Sequence, residues 1–161
     1  MNGALRLALL IAMGLPALAA CQPASNTVNA SERSPAGLDQ ILLSVTTTSG
    51  KTHRFTVEVA RTEAQQTQGL MNRQSLAPDR GMIFPYDPPV PASFWMKNTL
   101  IPLDIIFIRS DGTIARIEAN TVPLSLDPVV AGELVGAVLE LAGGRAAELG
   151  ITAGAKVEWP R

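Results

Sequence analysis

The segment Phe94-Trp95-Met96-Lys97-Asn98-Thr99-Leu100-Ile101-Pro102-Leu103-Asp104 holds the side chains best suited to recognition chemistry. Read as a strand, it places Phe94 and Met96 on one face and Trp95 and Lys97 on the other. With the first pair in a core, an indole plane and an ammonium stand together on an outer face or in a cleft. Such a pair suits a sugar ring or a small anion, although it also serves an ordinary strand that shields one aromatic ring. Asp104 precedes the apolar run Ile105-Ile106-Phe107-Ile108. A carboxylate there is costly unless bonded, and capping the Asn98-Thr99 turn or pairing with Lys97 would satisfy it.

Two further charges interrupt apolar stretches. Arg73 follows Leu70-Met71-Asn72, and Glu140 sits inside Val138-Leu139-Glu140-Leu141. One reading is a buried Arg73–Glu140 pair that ties a helix end to a sheet, and the other is a polar pocket wall. Asp104 and Glu140 are also the two carboxylates that an acid–base enzyme would use. Met71, Met82 and Met96 could offer soft thioethers to copper, with Trp95 as a cation–π lid. Methionine is equally a routine filler of core gaps. His53 is the only histidine, and its neighbours Thr52 and Arg54 supply no base–nucleophile logic. Gly-x-Ser-x-Gly, Walker and dinucleotide-loop motifs are absent, so no cofactor is expected.

The elements that position these residues are short and strand-like. Ile41 to Thr47 and Lys51 to Ala60 form two strands joined through Ser49-Gly50, with Phe55, Val57 and Val59 on one face. Thr62 and Gln65 make a capping-box pair that opens a helix, and Gly69 keeps that helix short. Met82-Ile83-Phe84 is a further strand. The cluster Pro85, Pro88, Pro89 and Pro91 is expected to be a stiff loop outside any ladder. Phe94 to Lys97 and Leu103 to Arg109 follow as strands, the second turning at Ser110-Asp111-Gly112 into Thr113 to Ala119. Val135 to Leu141 is a strand, Arg145 to Leu149 a short helix closed by Gly150, and Ala155 to Trp159 a last strand. No repeat and no βαβ rhythm is visible. The fold expected is mainly β: a small antiparallel sandwich or partly open barrel with one or two short helices.

The N-terminal segment specifies an address. After Arg6 the chain is apolar from Leu7 to Cys21, too short for a membrane span and broken at Gly14 and Pro16. That is the form of a signal-peptide core. Leu18-Ala19-Ala20-Cys21 resembles the bacterial lipobox, which implies cleavage before Cys21 and acylation of its thiol and new amino group. Ordinary signal-peptidase cleavage after Ala17-Leu18-Ala19, leaving a soluble periplasmic protein, is the other reading. Gln22 stands where an inner-membrane retention signal has Asp, which points to the outer membrane. Residues 22–37, rich in Pro, Ser, Ala and Asn, read as a flexible tether, and residues 38–161 as one domain. The expected setting is thus the periplasmic face of a bacterial membrane, held by a lipid anchor.

Composition narrows the partners. The 161 residues include 13 basic and 14 acidic side chains, a formal charge of −1, and only 4% aromatics. Loss of Arg6 with the signal leaves 12 basic against 14 acidic, or −2. Neither balance gives the electrostatic footprint of a nucleic-acid binder or an attraction to anionic lipid. The single cysteine excludes an internal disulfide and multi-cysteine metal sites.

Gly69-Leu70-Met71 with Arg73, Gly81-Met82-Ile83-Phe84, the Phe94–Thr99 block, Pro102-Leu103-Asp104 and Leu139-Glu140 with Gly143 resemble one family's motif string. It is the family known as domain of unknown function number 192, and the similarity spans about Leu42 to Trp159. The resemblance implies a small jelly-roll-like sandwich or barrel with short helices. It implies no activity, substrate or cofactor. Gly154-Ala155 replaces the Gly-Asp expected near the end. The residues matched, Arg73, Trp95, Lys97, Asn98, Asp104 and Glu140, become candidate binding positions. The reading favoured is a non-enzymatic module for a glycan or a small polar or anionic ligand. An envelope enzyme and a partner of another envelope protein, presenting Trp95 and the proline loop, are the other classes.

Overall fold

The computed structural model describes residues 33–160. The expected signal peptide, Cys21 and most of the expected tether lie outside the described residues. Among the described residues, nine strands and two short helices run in the order β1 (Gln40–Thr46), β2 (Thr52–Val59), α1 (Glu63–Gln68), β3 (Arg80–Val90), β4 (Ser93–Phe94), β5 (Leu103–Ile108), β6 (Ile114–Glu118), β7 (Val129–Val130), β8 (Val135–Ala142), α2 (Arg145–Leu149) and β9 (Lys156–Glu158). Seven strands form one sheet in the order β6-β5-β8-β3-β2-β1-β9, and β4 and β7 pair separately. A bridge between Thr113 and Lys156 and the bond from Ile114 N–H to the Ala155 carbonyl (2.8 Å) draw the two ends of the sheet together. The result is the partly open barrel, mainly β, with the two short helices expected. Among the described residues no helix is long and apolar enough to cross a membrane.

The core has two layers. Leu43, Phe55, Ile83, Ile106, Ile114, Leu139 and Val157 converge from all seven strands into one cluster, which fills the inside of the curl. Met82, Phe84, Leu103, Ile105, Phe107 and Val138 point the other way, into a second cluster with Leu70, Ala92 and Met96. Strands β3, β5 and β8 are therefore covered on both faces, which is why Leu103–Ile108 is apolar throughout instead of alternating.

The covering layer depends on a connection the sequence reading omitted. β2 and β3 are neighbours and parallel, with Val57 opposite Gly81, and α1 lies in the crossover between them. Parallel neighbours require such a crossover, so the fold contains one βαβ unit within an otherwise antiparallel sheet. The capping box of α1 forms as expected: Gln65 N–H donates to Thr62 Oγ1 (3.2 Å), and Thr62 N–H donates to Gln65 Oε1 (3.0 Å). Gly69 closes the helix at φ 46°, a conformation that favours glycine, and its N–H bonds the Gln65 carbonyl at 2.8 Å.

Two expectations about elements are corrected. The proline cluster lies largely within a strand: β3 runs through Pro85, Pro88 and Pro89, pairing Pro85 with Ala137 and Val90 with Val135 across an irregularity. The prolines are tolerated because the pairing with β2 covers only Arg80–Ile83, and the bulge absorbs the missing donors. The strand expected over Phe94–Lys97 is cut to Ser93–Phe94. Just before the expected domain start at Leu38, Ser34 is buried and its Oγ accepts from Leu38 N–H (3.2 Å). Arg33 bridges Asp39 across the intervening turn.

Candidate functional site

Register across the sheet sets the site. Glu58, Met82, Glu140 and Ile105 lie side by side on β2, β3, β8 and β5, all on the face that carries the second cluster. Two acids thus flank one methionine, about 10 Å apart at the usual strand spacing. Gly81 lets β8 come close at this level, because a Cβ on it would stand 2.4 Å from the Glu140 carbonyl oxygen. Arg73 reaches the first acid. Its Nη1 and Nη2 donate to Glu58 Oε1 and Oε2 at 2.6 and 2.7 Å, a bidentate pair in a partly buried setting. The expected Arg73–Glu140 pair is therefore not formed.

Glu140 is only 5% exposed, and no donor among the described residues bonds its Oε2. Burial pushes its carboxyl up to about 8 against a weaker downward pull from the Arg73 charge. Tyr86 is raised to about 12, first by burial and then by the charge of Glu140. An unpaired buried acid in an ordinary core would be an expensive defect. Here it belongs to the wall of a cavity of about 320 Å³, shared with Phe84, Tyr86, Ser93, Phe94, Trp95 and Thr99. From α1 and its following turn, Glu63 and residues 66–71 also line the cavity. Phe94 holds the floor through edge-to-face contacts with Phe84 (5.0 Å between centroids) and Phe107 (6.4 Å).

Trp95 stands at the rim, 49% exposed, with Lys97 Nζ 5.0 Å from its ring centroid. The inward placing of Met96 and outward placing of Trp95 and Lys97 survive without a ladder. Met96 N–H bonds the Ser125 carbonyl (2.9 Å), and Thr99 N–H closes a turn on the Met96 carbonyl (3.0 Å). Asn98 sits in that turn at φ 55°, and its carbonyl accepts from Asn72 N–H at 2.8 Å. Asn98 therefore ties the Trp95 loop to the segment that delivers Arg73, and it does not line the cavity.

Asp104 has a different task. Paired with Leu141, it faces the inside of the barrel, opposite to Glu140. Its Oδ1 accepts from Asn120 N–H (2.7 Å) and Gly144 N–H (2.8 Å), and its Oδ2 from Ala146 N–H (2.7 Å). It fastens the start of α2 and the end of β6. It neither caps the Asn98-Thr99 turn nor pairs with Lys97. An acid–base pair of Asp104 with Glu140 is ruled out, because the two carboxylates open on opposite faces.

The three methionines of the soft-metal reading each have contacts within the protein. Met82 is packed in the second cluster, Met96 Sδ accepts from Thr121 Oγ1 (3.1 Å), and Met71 Sδ is approached by Asn98 Nδ2 (3.8 Å). Among the described residues no group of three or more His, Cys, Asp or Glu is placed to hold a metal ion.

The sequence reading missed Glu58, Glu63 and Tyr86. Glu58 breaks Val57-Glu58-Val59 as Glu140 breaks its own run, so the same signal was available. Tyr86 is the only tyrosine, hidden within the proline cluster.

No curated protein matches the chain. A crystal structure of a protein of unknown function from Novosphingobium aromaticivorans DSM 12444 is 49% identical, with a TM-score of 0.78, covering 82% of this chain and 94% of its own. A crystal structure of a candidate transcription regulator from Sinorhizobium meliloti 1021 is 43% identical, with a TM-score of 0.74, covering 76% and 95%. The profile of domain of unknown function 192, described as an uncharacterized ACR, matches residues 44–159, which take in every wall of the cavity. The chain belongs to that family.

Proposed function

We propose that this protein is an envelope lipoprotein, anchored through Cys21, whose domain binds a small polar ligand such as a sugar in the Trp95 cavity without catalysing a reaction. The observation that carries the reading is Glu140, a buried carboxyl with an unbonded oxygen in the wall of a cavity rimmed by a half-exposed indole. A ligand with its own hydrogen-bond donors would satisfy that carboxyl, while its ring stacks on Trp95. The cavity wall contains Glu63 and Glu140 and no Lys, Arg or His among the described residues. That argues against the anionic form of the expected ligand. The loss of the Asp104–Glu140 pair removes the main support for an enzyme. Charge also gives no support to nucleic-acid binding, whatever the role of the Sinorhizobium relative.

The test is calorimetry of the full chain against a panel of neutral and amino monosaccharides and disaccharides, repeated with Trp95→Ala. Binding that weakens at least tenfold in the variant supports the reading. Absence of binding across the panel at millimolar concentration rejects it.

A second reading has one specific observation behind it. Leu100, Leu124 and Leu126 are exposed, and Leu126 shares a shallow cleft with Trp95 and Pro128. Such a patch suits an envelope protein partner. Leu124→Asn with Leu126→Ser would then abolish partner binding and leave sugar binding intact.

A further inference from the structure

Within the ligand-binding reading, on which this step rests, the geometry points to a narrower ligand class: a small molecule that carries a protonated amine, recognised by Glu140 as its counter-ion. The argument is one of charge balance in a confined space. Glu140 is buried, with 5% of its surface exposed, and it is part of the cavity wall. An ionised carboxylate in that place needs a cation close by.

The groups that face it supply none. From the α1–β3 connection, Arg73 commits both terminal guanidinium nitrogens to Glu58, and its pull on Glu140 is weaker than the effect of burial. From β3 comes the neutral Tyr86 phenol, and from α1 the acid Glu63. Lys97, on the Trp95 loop, lies over the indole at the rim. Asp104 on β5 faces the opposite side of the sheet, and Glu118 on β6 is occupied by Arg116. The protein therefore presents an acid and withholds the base.

An ammonium from outside completes the pair, and the rest of the cavity suits the body that would carry it. Phe84, Phe94, Leu70 and Met71 provide apolar wall, and Trp95 offers a π face at the mouth. Lys97 Nζ, 5.0 Å from the ring centroid, shows that this indole already accommodates an ammonium. Amine arrival and proton loss are linked. The carboxyl holds a proton before the ligand arrives. The ligand's N–H then bonds the carboxylate, and the proton leaves Glu140 for the buffer. Amine affinity should therefore rise toward tenfold per pH unit up to about pH 8, where Glu140 ionises without help. A neutral ligand gains nothing from this exchange.

The experiment uses matched probes on the full chain: D-glucosamine against D-glucose, and cyclohexylamine against cyclohexanol. Calorimetry at pH 6, 7 and 8, in two buffers of different ionisation enthalpy, reads affinity and proton release together. The result expected is amine binding at least tenfold tighter than the matched alcohol at pH 7.5, with close to one proton released per amine at pH 6. Glu140→Gln should bring each pair within about threefold and abolish the proton release, with its folding checked by its unfolding midpoint. Alcohols that bind as well as amines, or amine binding without proton release, would overturn the amine assignment and leave the ligand-binding reading standing. Failure of all four probes to bind would overturn both.

Discussion

Asp104 and Glu140 stand on neighbouring strands and face opposite sides of one sheet, because Asp104 pairs with Leu141 and Glu140 with Ile105. A shift of one position along β8 separates a carboxylate held by three backbone N–H groups from one whose Oε2 is held by none. The two acids look alike in the sequence, each set against an apolar run. Their surroundings make the first a structural clasp and the second the polar centre of a cavity.

Asp104 should therefore matter to folding and not to binding. Asp104→Ala strands three backbone donors, of which only that of Ala146 is fully buried, and should cost about 2–3 kcal/mol, at roughly 1–3 kcal/mol per buried unsatisfied group and less for the two that water can reach. Asp104→Asn keeps one acceptor for Asn120 and Gly144 and turns an amide toward Ala146, so its loss should be intermediate. Urea midpoints of the three proteins check this. Equal midpoints for parent and Asp104→Ala would show that the clasp contributes nothing.

Glu140 should make stability depend on pH. Its carboxyl is raised to about 8, so the folded chain keeps a proton that the unfolded chain releases in the ordinary carboxylate range. Between those values the folded state binds more protons, and stability falls as pH rises. The contribution is complete below the unfolded value and gone once pH has passed about 8. Glu140→Gln should be flat across this window and should melt above the parent at pH 9. Melting curves at pH 5, 7 and 9 decide it, and parallel profiles for the two proteins would refute the assignment.

Arg73 and Glu58 form a pair whose worth depends on both members. Arg73→Met leaves Glu58 with a carboxylate whose side chain is only 10% exposed, a loss of roughly 2–3 kcal/mol once the partial exposure of Arg73 is discounted. Adding Glu58→Leu should recover most of it, a coupling that a double-mutant cycle reads directly. Arg73→Met also removes the charge that holds Glu140 down, so the pH profile should move to higher pH. A profile that stays in place would mean that Arg73 and Glu140 do not sense each other.

The proposed anchor makes its own prediction. Only a thiol at position 21 can accept the diacylglycerol, so Cys21→Ser should move the protein from the detergent phase to the aqueous phase in phase partitioning. Unchanged partitioning would leave the lipobox resemblance without a function.

Much of this was legible because it rests on local chemistry. Thr62 and Gln65 announced α1, Gly69 and Gly150 announced helix ends, and the Ser110-Asp111-Gly112 turn announced the β5–β6 hairpin. The parallel pairing of β2 with β3 was not legible, since it depends on which strands meet after a crossover. The prolines concealed the length of β3 because their fit depends on a bulge opposite β8. Partner choice failed for the same reason. Arg73 had two acids within reach of a plausible fold, and only the β2–β3–β8 register shows that Glu58 is the one it takes.

Trp95 and Phe94 provide the sharpest contrast, since adjacent aromatics have opposite duties. Phe94 is half-buried between Phe84 and Phe107, and truncating a core aromatic typically costs about 3–5 kcal/mol. Its partial exposure puts Phe94→Ala near the lower end, at about 3 kcal/mol. Trp95 has 49% of its surface in solvent, and its cation–π contact with Lys97 is exposed. That contact is worth about 0.5–1 kcal/mol at such a site, so Trp95→Ala should shift stability by only about 1 kcal/mol. A residue that contributes little to the fold, yet holds an indole at a cavity mouth, must earn its place by what it touches from outside. Urea midpoints and sugar or amine titrations of the two variants separate the duties. Phe94→Ala should lose stability, and Trp95→Ala should lose ligand. If Trp95→Ala instead costs as much stability as Phe94→Ala while affinity is unchanged, the rim is structural and the cavity has no ligand at its mouth.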